Sequence, residues 1–328
     1  MTKRTRVFLF AAAGVLVTAL TTGLVAWAMG ASALGSGTPE ELTYVPANAR
    51  MVAYADIREV MNSPFHDRIR QLQRSNPSGP DGLEARTGIR FDSDIDRVLV
   101  ASTSEVTLDR TDGSLLIARG RFDAARIEGV MRNQGGQVEQ YRGKRVVAIA
   151  SAAREAALVF AEPGLLIFGP RDSVRGALDA KAGAAAGIET NRDFMSLVDD
   201  VREATAWSVA RFDTISGSTG LAPDLLNQLP PINWFAASGR IDNGLHGVIR
   251  AEAQDVQSAT SLRGVVQGFL ALAKLQGSRD PAYKNLLDSV VLTANGKSVL
   301  LSFDVTPAAL DALTPTAPPV RAPAPLRP

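Results

Sequence analysis

Residues 51–67 read "MVAYADIREVMNSPFHD". Met51–Ile57 is an apolar run too short for a helix and suited to a buried strand. Ser63 then stands at a helix N-cap position with Pro64 after it, the pair that opens a helix. Phe65, Ile69 and Leu72 follow at helical spacing as one apolar stripe. The same stretch gathers Ser63, His66 and Asp67 like a compressed hydrolase site. A serine nucleophile needs an imidazole within reach and a separate carboxylate to orient it. Three near neighbours at one helix start do not supply that geometry, and an N-cap hydroxyl is already committed to a backbone N–H. The stretch is therefore read as a strand handing over to a helix.

Working outward, the same order of elements recurs. "DIDRVLVAS" (94–102) and "GSLLIARGRF" (113–122) read as strands, and Asp123 caps a helix bearing Ile127, Val130 and Met131 that ends at Gly135-Gly136. "QVEQYRGKRVVAIA" (137–150) and "EAALVFAEPGLLIFG" (155–169) read as hairpins, the second turning at Pro163-Gly164, a type II pair. A short helix over 171–181 follows. "AWSVARFDTI" (206–215) repeats the strand of 51–57, with Asp213 standing 157 residues after Asp56. Asn191 caps an amphipathic helix before it, and a short helix around 222–229 comes after. Asn243-Gly244 and Asn295-Gly296 signal two hairpins. Asp255 opens a long helix with Val256, Ala259, Leu262, Val266, Phe269 and Ala273 on one face. Asp280-Pro281 and Pro307 open short ones.

These elements predict an α+β fold: two related modules, β-α-β-β-α-β with additions, each a mostly antiparallel sheet with helices on one face. One continuous sheet built from both halves is the alternative. The small, weakly patterned segment 180–190 is the expected boundary or hinge.

The N-terminus bears on location. Residues 7–29 carry no charge over 23 positions, a helix of about 34 Å against a hydrocarbon core of about 30 Å. Lys3, Arg4 and Arg6 precede it and no acidic residue occurs before Glu40, which places the N-terminus in the cytoplasm and the rest beyond the bilayer. A cleaved signal peptide, with "AWA" (26–28) or "ASA" (31–33) as the processing site, is the competing reading. The organisation expected is a basic N-terminus (1–6), transmembrane helix (7–29), linker (30–39), first module (40–183), second module (184–313) and a tail (314–328) with six prolines in fifteen residues. This implies a single-pass inner-membrane protein with the bulk of the chain periplasmic or extracellular.

Composition removes some functions. Of 35 basic residues three precede the apolar run, leaving 32 against 34 acidic. A nucleic-acid partner calls for a basic excess in the folded part, so none is expected. The chain has no cysteine and two histidines, His66 and His246, which leaves little for a zinc site. "DSDID" (92–96) spaces carboxylates as a calcium loop does, yet Arg97 stands where glycine is required and Thr103 where glutamate is. It reads as a turn entering a strand. "RFD" at 90–92, 121–123 and 211–213 reads as a strand end, phenylalanine inward and aspartate capping. "RNQGGQ" (132–137) and "AGAAAG" (182–187) lack the spacing and lysine of a phosphate loop. Asp199, Asp200 and Glu203 lie on the polar side of a helix. His246 reads as a surface or cross-strand residue.

No catalytic, cofactor-binding or metal-ligating residue is assigned, and no cofactor. The function expected is binding, scaffolding or sensing with a protein partner and the membrane; an extracytoplasmic hydrolase with a site assembled from dispersed carboxylates or serines is the alternative.

The run "LTYVPANARMVAYADIREVMNSPF" (42–65) resembles the opening of a group of bacterial membrane-anchored proteins carrying a Val-Pro-Ala segment after the anchor, a domain of unknown function. "ARGRFDAARIEGVM" (118–131) and "PGLLIFGPRDSVRGALD" (163–179) resemble later parts. The resemblance implies an extracytoplasmic bacterial α+β protein and no active-site residue.

Overall fold

The computed structural model describes residues 39–63, 89–104, 114–150, 155–215, 229–242, 244–277 and 281–306. A 3-10 turn, Glu40–Tyr44, leads into β1 (Met51–Asp56), α1 (Ile57–Met61), α2 (Phe91–Asp94), β2 (Ile95–Ser102), β3 (Ser114–Gly120) and α3 (Ala124–Asn133). The hairpins β4 (Gln137–Tyr141) with β5 (Lys144–Ala150) and β6 (Glu155–Glu162) with β7 (Leu165–Pro170) follow, then α4 (Arg171–Lys181) and α5 (Arg192–Val201). The second half contains β8 (Ala206–Arg211), α6 (Phe212–Ile215), β9 (Ile232–Ile241), β10 (Leu245–Ala253), α7 (Val256–Gly277), α8 (Pro281–Ser289), β11 (Val291–Asn295) and β12 (Ser298–Val305).

The fold is α+β around a large antiparallel sheet. The described strands form one twelve-stranded sheet, ordered β11-β12-β10-β9-β8-β1-β2-β3-β7-β6-β5-β4. Of the two arrangements the sequence left open, the continuous sheet is the one observed. Its halves meet where β1 pairs antiparallel with β8, from Met51↔Ala210 to Ala55↔Ala206. Outward from that seam, β1-β2-β3-β7-β6 on one side parallels β8-β9-β10-β12-β11 on the other.

Alternation along β1 sends Val52 and Tyr54 to one face and Ala53 and Ala55 to the other, and both faces are buried. The front face packs Leu99, Ile117, Ile167, Trp207 and Val209 beneath the 3-10 turn, α4 and α5. The back face packs Val98, Ala118, Leu158 and Leu166 beneath α1 and α3, through Ile127 and Met131 of α3. Continuing across the register, the back face of the second half lies under α7 (Ala259, Leu262) and α8 (Leu286). The expectation of helices on one face is thus corrected: the central strands are covered on both. The reason is legible in β1 itself, whose six residues are all buried, so no face was left for water.

Local signals work as the physics requires. Asn191 Oδ1 accepts from the Phe194 N–H (3.1 Å) and opens α5, which buries Phe194, Leu197, Val198 and Val201, each contributing roughly 1.5–3 kcal/mol. Asp123 caps α3 through Arg126 N (3.0 Å). Gly164 at φ +72° turns the β6–β7 hairpin and Gly296 at φ +57° the β11–β12 hairpin. Val256 departs from its expected inward place: in the first turn of α7 it is 57% exposed. The segment 182–187 is fastened to the chain before β1, with Ala47 N–H donating to Ala186 O (2.9 Å), Ile188 N–H to Val45 O (2.8 Å), and a Pro46↔Gly187 bridge.

Among the described residues no helix is long and apolar enough to cross a membrane. The span 7–29, linker residues 30–38, the helix expected from Pro64 with Phe65, Ile69 and Leu72, His66, Asp67, the helix around 222–229, the Pro307 helix start and the tail 314–328 lie outside the described residues.

Candidate functional site

Three strands bring their front-face charges into one row. The register sets Asp56 of β1 opposite Arg97 of β2, and Arg97 opposite Arg119 of β3. All three occupy the parity that elsewhere points into the front core: Val52 and Tyr54 precede Asp56, and Leu115 and Ile117 precede Arg119. A charge at such a position must find partners or be expelled.

Arg119 finds them in the 3-10 turn. Its Nε donates to Glu41 Oε1 at 2.6 Å, and its Nη2 lies 3.4 Å from Glu162 Oε2 and 3.7 Å from Glu40 Oε2. Glu41 is 1% exposed, and its Oε2 has no hydrogen-bond partner among the described protein atoms. Glu162 also accepts from the Tyr44 hydroxyl at 2.8 Å, and Lys181 of α4 approaches it at 3.6 Å while lying 4.9 Å over the Tyr44 ring. The cluster ties the 3-10 turn, β3, β6 and α4 together. The Tyr44 hydrogen bond and the nearby cations hold the Glu162 carboxyl below its ordinary range. Burial works against the charge of Arg119, but Glu41 and Glu162 outweigh it and hold the guanidinium above its usual value.

Asp56 sits at the other end of the row. Its carboxylate caps α1 by accepting from Arg58 N (3.3 Å), and the residue is 3% exposed. Burial pushes its carboxyl up to about 7, against the pull of that N–H and of Arg97 and Arg58. Burial likewise raises Tyr54, which stacks on Trp207 with ring centroids 5.6 Å apart and receives a hydrogen bond from Arg97.

The chemistry available here is charge storage and fastening. The basic groups about Arg119 are shared among carboxylates; of the groups with raised pKa values, Asp56, Tyr54 and Tyr44 are buried and Glu59 is half-buried. Two shallow depressions lie beside the row. One of about 590 Å³ is bordered by Thr43, Lys181, Glu189 and Thr190, and one of about 250 Å³ by Pro46, Asn48, Thr103 and Asp172.

The residues singled out from sequence fall elsewhere. Ser63 donates its hydroxyl to Val60 O at 2.6 Å, just past the end of α1; β1 hands over to α1 at Asp56, and the helix expected from Pro64 onward lies outside the described residues. His246 is a cross-strand surface residue as expected, with Nδ1 2.5 Å from Asp304 and Nε2 3.0 Å from Asp242. Its imidazole is held above the ordinary value, chiefly by the Asp304 hydrogen bond. In "DSDID", Asp94 closes back on Arg90, accepting from its N–H at 2.9 Å at the turn that enters β2. Of the three "RFD" aspartates, Asp123 caps a helix, whereas Asp213 pairs with Arg50 at 2.6 Å and Arg211 at 3.3 Å. On the polar side of α5, Asp200 pairs with Arg250 of β10, and Asp199 lies 3.4 Å from Arg202.

The signal for the missed cluster was parity. Arg119 and Asp56 occupy inward positions of otherwise apolar strands, and a buried charge announces a partner.

No protein-family model matches the chain, and no curated protein sequence does. Among solved structures, crystal form III of TP0453 is similar at a TM-score of 0.49 and 10% identity, covering 84% of this chain and 98% of that one. Crystal form I of TP0453 gives 0.46 and 9%, covering 84% and 97%.

Proposed function

We propose that the chain is a single-pass bacterial inner-membrane protein whose folded part lies outside the cytoplasm and acts by binding, scaffolding or sensing, without catalysis. Residues 7–29 serve as the anchor and 30–39 as the link. The observation that carries this reading is the Arg119 cluster. The first turn after the link, Glu40–Tyr44, is clamped to β3 by the Glu41–Arg119 pair and plugged into the front core by Leu42 and Tyr44. A tether fastened there hands its position straight to the centre of the sheet, which is what a scaffold or sensor requires. Groups built for acid–base turnover must meet substrate; Glu41 and Asp56, at 1% and 3% exposed, are turned to holding the fold.

The folded part is proposed to be two related modules, 40–183 and 184–313, fused at β1–β8. The matching strand orders on the two sides of that seam support a duplication. The partner surface proposed is the front face of β10, β12 and β11, where Val248 and Val291 are 37% and 54% exposed among His246, Arg250 and Glu252.

A reporter enzyme that works only outside the cytoplasm, fused after Pro328, is expected to be active. A cytosolic result overturns the topology. Covalent labelling of the purified full chain by a serine-hydrolase probe overturns the non-catalytic half of the proposal.

A further inference from the structure

The two edges of the sheet are built differently. An edge strand offers unpaired backbone groups, and proteins that stay monomeric guard it with charge, proline, a bulge or a covering element. At one edge, β4 is guarded: Glu139 is gripped by Arg171 and by Arg175 (2.8 Å), and the adjoining turn is held by Arg142 on Asp179 (2.7 Å). At the other edge, β11 reads Val-Leu-Thr-Ala-Asn, without charge or proline, and pairs with β12 in unbroken register. Four of its five residues are exposed, and among the described residues its outer side has no strand partner. On the back face β11 rests against α7 through Leu292, and α7 itself shows Leu272 at 37% exposure.

We propose that β11 is a homodimerisation edge: Val291–Asn295 of two copies pair antiparallel, joining their sheets across a two-fold axis. Such a pairing is isologous and closes on itself. It brings no charge against a like charge, because the strand has none, whereas β4 paired with itself would set Glu139 near its own copy. The chain already uses this geometry once, where β1 and β8 meet antiparallel at the centre of the sheet. Five residues make an edge of about 17 Å, well short of the roughly 800 Å² per partner that a stable interface buries. The flanking surface of α7, a helix of about 33 Å, has to supply the rest. The dimer is accordingly weak and concentration-dependent.

The absence of cysteine from the chain makes the test direct. Single cysteines are placed in the full chain at each of positions 291–295, and Gln140→Cys on β4 is the comparison. In an antiparallel self-pair, Cβ atoms of the central residue lie about 4.5–5.5 Å from their copies, within reach of a disulfide. Mild oxidation in nanodiscs carrying two copies is expected to give a covalent dimer peaking at one β11 position, several-fold above Gln140→Cys. Thr293→Lys is expected to shift the native mass distribution toward monomer. Equal cross-linking at both edges, no cross-link at β11, or a dimer that survives Thr293→Lys overturns the proposal.

Discussion

Asp56 carries two duties that oppose each other: it caps α1, which favours the carboxylate, and it is buried, which favours the acid. Burial prevails, raising the group from 3.8 to about 7. A carboxyl whose pKa rises on folding contributes stability that is complete below its unfolded value and is lost as pH climbs toward the folded one. Between about pH 4 and 7 the native chain is therefore penalised by this residue. Asparagine keeps a capping oxygen and has no proton to lose. Asp56→Asn is expected to stabilise the protein by about 1–3 kcal/mol at pH 8 and by little at pH 4, as read by urea unfolding at both. An equal gain at both values would show that ionisation is not the cause. Arg119 poses the complementary case. Arg119→Met leaves Glu41 buried without its partner, a change that costs about 3–5 kcal/mol. Adding Glu41→Leu is expected to return most of that loss, because Glu162 keeps Tyr44 and Lys181. A double variant as unstable as the single one would sink the pairing argument. Both residues were visible in the sequence as charges at inward strand positions. Their partners were not, since Glu41 and Arg119 are 78 residues apart and only the folded sheet brings them together.

The elements were the most legible level, because caps and turns act over a few residues. Asp123, Asn191 and Asp255 each open a helix from the side chain, Asp255 through Ser258 N at 2.7 Å, and Gly164 and Gly296 turn hairpins. In 51–67 the observed α1 opens at Asp56, which accepts from Arg58 N but which spacing alone marks only as a strand residue; the helix expected from Ser63 and Pro64 falls beyond the described residues. Gly247 of β10 shows a constraint that spacing does not reveal. A Cβ there would come within 2.2 Å of Phe303 Cζ, the ring of the neighbouring strand lying over the glycine. Gly247→Ala is expected to cost about 1–3 kcal/mol in thermal unfolding, and Phe303→Leu in the same chain to restore part of it. A tolerated alanine would mean that the ring has room to move. At the end of the same hairpin, His246 clasps the β9–β10 turn to β12 through Asp242 and Asp304. Its raised pKa makes this clasp complete below about 6.5 and lost as pH rises through the folded value. An NMR titration is expected to place its midpoint above 6.5, and Asp304→Asn to bring it back down. With both partners about half exposed, the stability at stake is roughly a few tenths of a kcal/mol. A midpoint unmoved by Asp304→Asn would refute the clasp.

The whole molecule was the least legible level, and the seam shows why. "MVAYADI" and "AWSVARFDTI" both read as buried strands, but nothing in either says that the other is its neighbour. The alternation is equally satisfied by two separate sheets. What decides is packing: Trp207 stacks on Tyr54, and Phe194, Leu197, Val198 and Val201 of α5 enter the same core as Leu99, Ile117 and Ile167. A first half cut at 183 would lose those side chains and expose both the front core and the edge of β1. The two halves are thus expected to unfold together. Trp207 and Trp234 both lie in the second half, and Trp27 is the third tryptophan of the chain. In a Trp27→Phe background, fluorescence reports on the front core beside the seam, whereas far-ultraviolet circular dichroism reports on both halves. One cooperative unit requires the two curves to coincide in urea, with one midpoint and one slope. Separate midpoints would mean that β1 and β8 adjoin without sharing a core. Val209→Asp applies the same logic from inside: it buries a charge beside the seam, where Val209 is fully enclosed. It is expected to lower both midpoints together by several kcal/mol of stability, and a loss confined to the fluorescence curve would show that the halves fold independently.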